Sequence, residues 1–142
     1  MYNPSVRYLA LDYGEKRIGL AVSDPLGLTA QPIGFLPHDS KFFDELRKII
    51  KDKDVSDFVV GYPRKLNGEP GPAARSVEEF SKLLQEEFRK PIHFWDERMT
   101  TAESEKTLIQ ADVRRAKRKE LRDAMAASLL LQGFLQSRHS PS

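Results

Sequence analysis

The chain has 142 residues, no cysteine and three histidines, with 23 basic against 21 acidic side chains for a net charge of +2. That length suits a single domain with its own core, and the lack of thiols excludes a disulfide framework, a thiolate zinc site and a cysteine nucleophile. No apolar run approaches the roughly 18 residues of a membrane span and residues 1–7 lack the apolar stretch of a signal peptide, so a cytoplasmic protein with no membrane partner is expected.

Residues 6–12, Val-Arg-Tyr-Leu-Ala-Leu-Asp, are rich in β-formers and stop at a turn-like Tyr-Gly-Glu-Lys-Arg, which predicts a first strand. Residues 18–24 follow so closely that a hairpin is the economical connection. Residues 30–36 predict a third antiparallel strand, placed at an edge or made irregular by Pro32 and Gly34. From Asp39 the period changes: Phe42, Phe43, Leu46, Ile49 and Ile50 predict an amphipathic helix behind an Asp39 or Ser40 cap. Residues 57–62 read as a short buried strand ending at Pro63. The following loop holds Asn67-Gly68 and Pro70-Gly-Pro72, and Pro72 suits the first turn of a helix with Val77, Phe80, Leu83, Leu84 and Phe88 on its apolar stripe.

Residues 91–96 predict another strand, with Phe94 and Trp95 as core. Thr100-Thr-Ala-Glu103 has the form of a capping box for a helix toward Ala111. The basic stretch 112–119 reads as a mobile connection, and Leu121, Ala124, Met125, Ser128, Leu131 and Leu135 mark the last helix. One domain over residues 1–137 and a disordered polar tail over 138–142 complete the expectation.

This order predicts an α/β fold: a mixed five-stranded sheet, an antiparallel meander of three strands extended by parallel strands through helical crossovers. Right-handed crossovers bring the ends of the first strand, the strand ending at Tyr62 and the strand ending near Glu97 to one rim, where such sheets bind ligands. Asp12 and the pair Asp96 and Glu97 then share that rim. Asp123 joins them if the small residues Ala124, Ala126 and Ala127 let the last helix approach closely. Three carboxylates without cysteine or a histidine cluster form an oxygen-donor set suited to Mg²⁺ or Mn²⁺, and two such ions can support phosphodiester cleavage. Each acid taken alone has a plainer use, as a turn former or as a partner of the helix dipole; it is their convergence that points to chemistry.

Other residues carry weaker signals. Gly14 and Gly19 flank the hairpin and are most simply explained by positive φ. Lys16, Arg17, Arg64, Lys65, Arg98, Arg114, Arg115, Lys117 and Arg118 are candidates for holding phosphates, although a charge run is more often a solvated surface. Arg98 could equally orient Glu97 or balance its charge. His93 reads as packed or exposed, and His38 and His139 carry no signal.

Four ordered segments resemble the YqgF family, also called RuvX. They are Leu9-Ala-Leu-Asp12-Tyr-Gly14-Glu-Lys-Arg17-Ile-Gly19-Leu-Ala-Val-Ser23-Asp24, Val60-Gly61-Tyr-Pro63, Asp96-Glu97-Arg98-Met-Thr100-Thr101 and Lys119-Glu-Leu-Arg-Asp123-Ala-Met-Ala126-Ala127. The resemblance runs from about Tyr8 to Leu135 and implies a ribonuclease H-like fold. It also implies that Asp12, Glu97 and Asp123 are the metal-binding catalytic acids, and Asp12 is expected to bridge the ions; alternation alone does not choose between Asp96 and Glu97, since it only turns them to opposite faces.

The resemblance implies a metal-dependent endonuclease acting on branched DNA such as Holliday junctions, or on the 5′ end of precursor 16S ribosomal RNA. A homodimer would suit a two-fold junction, whereas trimming an RNA end needs one site. The alternatives are a non-catalytic nucleic-acid-binding or ribosome-assembly factor, and an actin-like ATPase half, which lacks the second half needed to close over a nucleotide.

Overall fold

The computed structural model describes residues 6–63, 67–96 and 115–139, with the side chains of the last helix described from Met125 to Arg138. Its elements are β1 (Tyr8–Asp12), β2 (Arg17–Ser23), β3 (Ala30–Pro37), α1 (Phe42–Lys53), β4 (Asp57–Tyr62), α2 (Ala74–Phe88), β5 (Ile92–Asp96) and α3 (Arg115–His139). The sheet order is β3-β2-β1-β4-β5. The first three strands form the antiparallel meander, while β4 lies parallel to β1 and β5 parallel to β4. The predicted helix after Thr100 lies outside the described residues.

Strand alternation sorts the interior into two layers. Leu9 and Leu11 of β1, Ile18, Leu20 and Val22 of β2, and Phe58 and Val60 of β4 face α1 and α2 through Phe42, Leu46, Val77, Phe80 and Leu84. Ala10, Ala21 and Val59 face the other way, onto Ala127, Leu130, Leu131, Phe134 and Leu135 of α3. The small side chains on that second face let α3 lie close to the sheet. Ser128 Oγ and Gln132 Oε1 bond the backbone of Ala30, and Gly133 leaves room for the Trp95 indole, whose Nε1 would stand 3.0 Å from an added Cβ.

β3 is an edge strand, as Pro32 and Gly34 required: its register shifts opposite Leu20 and Ala21, and Gly34 has φ 136°. The cap of α1 differs in detail from expectation. The helix starts at Phe42 behind Lys41, and Asp39 acts one step earlier by accepting the Lys41 N–H at 2.9 Å. Two predicted core residues are exposed. Leu83 (52%) sits at the solvent margin of the α2 stripe, and Phe94 (48%) lies on β5, the last strand of the sheet, with Tyr62 packed edge-on against it.

The last helix also corrects the sequence reading at both ends. Residues 115–119, read as a mobile connection, are helical, because Arg, Ala and Lys without glycine or proline carry the helix through. Residues 138 and 139, assigned to a tail, belong to it too: Arg138 lies over the Phe134 ring at 5.0 Å and meets His93 Nδ1 at 3.1 Å. His93 is thereby held between Arg138 and Asp57 Oδ2 (2.9 Å), a packing role at the end of the sheet away from the rim.

That far end is fixed by Arg7. Its Nε donates to the Ser23 carbonyl (2.9 Å) and Nη1 to the Lys53 carbonyl (2.8 Å), while its backbone exchanges bonds with Ser56. One side chain thus ties the end of β2 to the end of α1 beside β1. Losing two charge-assisted bonds should make Arg7→Ala less stable by about 2 kcal/mol, read from the denaturation midpoint at unchanged m-value.

The β2–β3 turn is organised by Asp24, whose Oδ1 accepts the Leu28 (2.7 Å) and Thr29 (2.9 Å) N–H groups while Gly27 takes φ 70°. The Thr29 N–H, chiefly, holds the Asp24 carboxyl below its ordinary value, with burial opposing it and the Leu28 N–H adding to it. A lowered folded pKa contributes stability above the unfolded pKa and loses it as pH falls through the folded one. Asp24→Asn should therefore melt below the parent at pH 7, and the gap should close as both are acidified below about pH 4.

Candidate active site

Three parallel strands, β1, β4 and β5, end side by side at one rim. Asp12 is the last residue of β1. It follows Ala10 by two positions, so it shares the sheet face that packs against α3. Its partner across the β1–β2 ladder is Gly19. On the other side Leu11 pairs with Val60, so the register carries Asp12 alongside Gly61. Both glycines are buried. The carboxylate therefore stands between two strands that place no side chain beside it on its own face. Sequence reading explained Gly19 by positive φ, but among the described residues positive-φ glycines are Gly27, Gly34 and Gly68. A glycine inside a strand, opposite an acid, was the signal available.

The same register separates the adjacent acids of β5. Gly61 pairs with Trp95 and Tyr62 with Asp96. Trp95 packs in the α3 layer with Phe134, whereas Tyr62 packs in the α1/α2 layer and donates its hydroxyl to Glu78 at 2.6 Å. Asp96 therefore belongs to the face opposite Asp12. Glu97, with the parity of Trp95, lies outside the described residues, as do Arg64, Lys65, Arg98 and Arg114.

Position 123 falls within α3, four residues before Ala127, which is fully buried against the sheet. Positions 123, 127, 130 and 134 share one helix face, and Phe134 packs on Tyr8 at the start of β1. The backbone at position 123 thus lies on the face that α3 turns to the layer of Asp12. Positions 115, 117 and 118 sit in the helix's first turn, so three of the basic candidates are spaced along a helix start. Lys16 is exposed in the β1–β2 turn, and its carbonyl accepts the His38 N–H. The Arg17 guanidinium lies over the Phe35 ring at 5.0 Å, which gives it a packing use.

The turn after Asp12 is held tightly. Gly14 is needed there for a close approach, since an added Cβ would stand 2.4 Å from the Arg17 carbonyl oxygen. The Gly14 carbonyl accepts from His38 Nδ1 at 3.2 Å, and the imidazole packs against Tyr13, Phe42 and Phe80. His38, without a sequence signal, is thus the side chain that braces the Asp12 turn.

Among the described residues no three His, Cys, Asp or Glu side chains are grouped to hold a metal. Asp12 offers a hard oxygen donor and the chain has no thiolate to compete, so the donor chemistry fits a hard divalent cation. Among the described residues no helix is long and apolar enough to cross a membrane.

A family profile described as "RuvX: Holliday junction resolvase" matches residues 6–137. Proteins named "Putative pre-16S rRNA nuclease" are similar along nearly their whole length. One from Desulfitobacterium hafniense (strain Y51) is 45% identical over 130 residues, 92% of each chain. Another from Geobacillus sp. (strain WCH70) is 45% identical over 137 residues, covering 94% of this chain and 99% of that protein. Among solved structures, "T. thermophilus RuvC in complex with Holliday junction substrate" matches with TM-score 0.56 and 13% identity, covering 94% of this chain and 95% of that one. That likeness gives the fold, a ribonuclease H-like α/β domain. Taken with the strand-end acid between two glycines, the profile and the relatives lead to one conclusion: this chain belongs to the RuvX family of nucleases.

Proposed function

We propose that the protein is a divalent-metal-dependent endonuclease that hydrolyses phosphodiesters of a branched DNA or of a precursor ribosomal RNA 5′ end. The observation that carries this reading is Asp12, a carboxylate at the meeting of three parallel strand ends, flanked on its own face by Gly19 and Gly61. Bare backbone on both sides leaves the acid approachable by a phosphate.

Asp12, Glu97 and Asp123 would hold Mg²⁺ or Mn²⁺. Support for the second comes from parity with Trp95, and for the third from the α3 face shared with Ala127. A divalent ion held there would supply a water of lowered pKa and would offset charge on the leaving oxygen. The chain's own contribution is to fix Asp12 through the braced Gly14 turn and to exclude Asp96 from the same face. Backbone recognition falls to basic side chains, Lys16 and those at positions 115, 117 and 118 together with Arg64, Lys65, Arg98 and Arg114, which contact phosphates rather than bases and leave RNA and DNA equally acceptable.

The test is a parallel cleavage assay on a four-way DNA junction and a precursor ribosomal RNA 5′ end. Metal-dependent product from either one supports the reading and names the polymer. Persistent binding to both without cleavage in Mg²⁺ or Mn²⁺ would overturn it in favour of a non-catalytic binding factor.

A further inference from the structure

On the α1/α2 side of the sheet, against the turn that follows Asp12, lies a cleft of about 300 Å³, lined by Tyr13, Gly14, Glu15, Pro72, Ala73 and Ser76. A second space of about 160 Å³ shares Tyr13 and Ser76 and extends it toward His38 and Glu79. The near wall is packed from behind. The Tyr13 ring is packed by Phe80 at 5.0 Å and by His38 at 5.3 Å, and His38 also bonds the Gly14 carbonyl.

The lining decides which part of a nucleic acid could enter. No Lys or Arg lines the cleft among the described residues, and the acidic Glu15 is part of its lining. A phosphate would be repelled there. A flat uncharged base meets an aromatic side chain, the apolar Pro72 and Ala73, and a hydroxyl on Ser76. Glu79 is less available, since its Oε1 lies 3.4 Å from Arg75 Nε. An ionised carboxylate only accepts hydrogen bonds, so Glu15 selects a base that presents donors. Guanine offers two adjacent ones, N1–H and the N2 amino group. Uracil and thymine offer a single N3–H between two carbonyls.

We infer that this cleft is a base-reading subsite that takes one unpaired base, guanine foremost, from the strand whose phosphate lies at Asp12. The inference rests on the nuclease reading above and deepens it. Because Tyr13 follows Asp12 directly, the base bound is one adjoining the cut. The protein then has a sequence preference at a single flanking nucleotide, superimposed on backbone contacts that are indifferent to sequence.

The test is equilibrium binding of fluorescent oligouridylates carrying one central guanine, hypoxanthine or uracil to the full chain in an Asp12→Asn background, which separates binding from cleavage. Guanine should bind about tenfold more tightly than uracil, with hypoxanthine between them because it lacks the amino donor. Glu15→Gln should erase the difference between guanine and hypoxanthine. Ser76→Trp, which fills the cleft, should erase all base preference while affinity for plain oligouridylate stays within about twofold. Equal affinity for the three oligonucleotides, or a guanine preference that survives both variants, would overturn the subsite and leave the nuclease reading standing. Failure to bind any oligonucleotide would overturn both.

Discussion

Asp12→Asn is expected to lower cleavage by roughly 10²–10³-fold or more while the protein folds and binds nucleic acid as before. The substitution keeps size and hydrogen-bonding capacity and removes one negative charge. Charge is what a hard cation requires of its ligand, so the loss falls on catalysis. Stability should change little, within about 0.5 kcal/mol, because the side chain sits at a strand end and is only half-buried. Binding of uncut substrate should hold or tighten, since a negative group near the phosphates has gone. Asp96→Asn is the control. Asp96 lies on the α1/α2 face with Tyr62, so its loss should leave turnover within about threefold of the parent, inside the range of a peripheral change. Comparable inactivation by both variants would refute the separation of faces, and an active Asp12→Asn protein would refute the site.

Much of this site was legible in the chain because its signals are local. A run of β-formers that stops at an acid, a short hairpin and two helical crossovers suffice to bring Asp12, Tyr62 and Asp96 to one rim. What sequence could not supply was parity between strands. Whether Asp96 or its neighbour shares Asp12's face depends on the β1–β4–β5 register, a property of strands some fifty residues apart in the chain. The exposure of Leu83 and Phe94 has the same origin: periodicity marks an apolar stripe, but the width of the stripe that is covered depends on which strand ends the sheet. The start of α3 was missed for a different reason. A run of Arg and Lys reads as a solvated surface, yet these side chains have good helix propensity and nothing in the run breaks the helix. His38 was invisible because its value lies in a carbonyl 24 residues upstream.

Gly14→Ala should be the most damaging small substitution at the rim. The added methyl would stand 2.4 Å from a backbone oxygen, that of Arg17, so no side-chain rotation can relieve the contact. Relief must come from moving the β1–β2 turn, which costs the 1–3 kcal/mol typical of overpacking or about that, and also loosens the Gly14 to His38 bond. Gly34→Ala provides the contrast. Gly34 has open space around its would-be Cβ but φ +136°, so its cost is conformational, about 1–3 kcal/mol. The two variants also separate stability from function. Gly34 lies on the edge strand β3, so a protein that remains folded at the assay temperature should retain its turnover after that change. Gly14 is two residues from the acid, and its displacement moves Asp12 itself: a shift of about 1 Å in a reacting group can cost roughly 10²-fold. Gly14→Ala should thus lose cleavage well below its melting temperature, where Gly34→Ala does not. Full activity of a folded Gly14→Ala protein would show that the turn serves folding alone and that Asp12 is positioned by its strand.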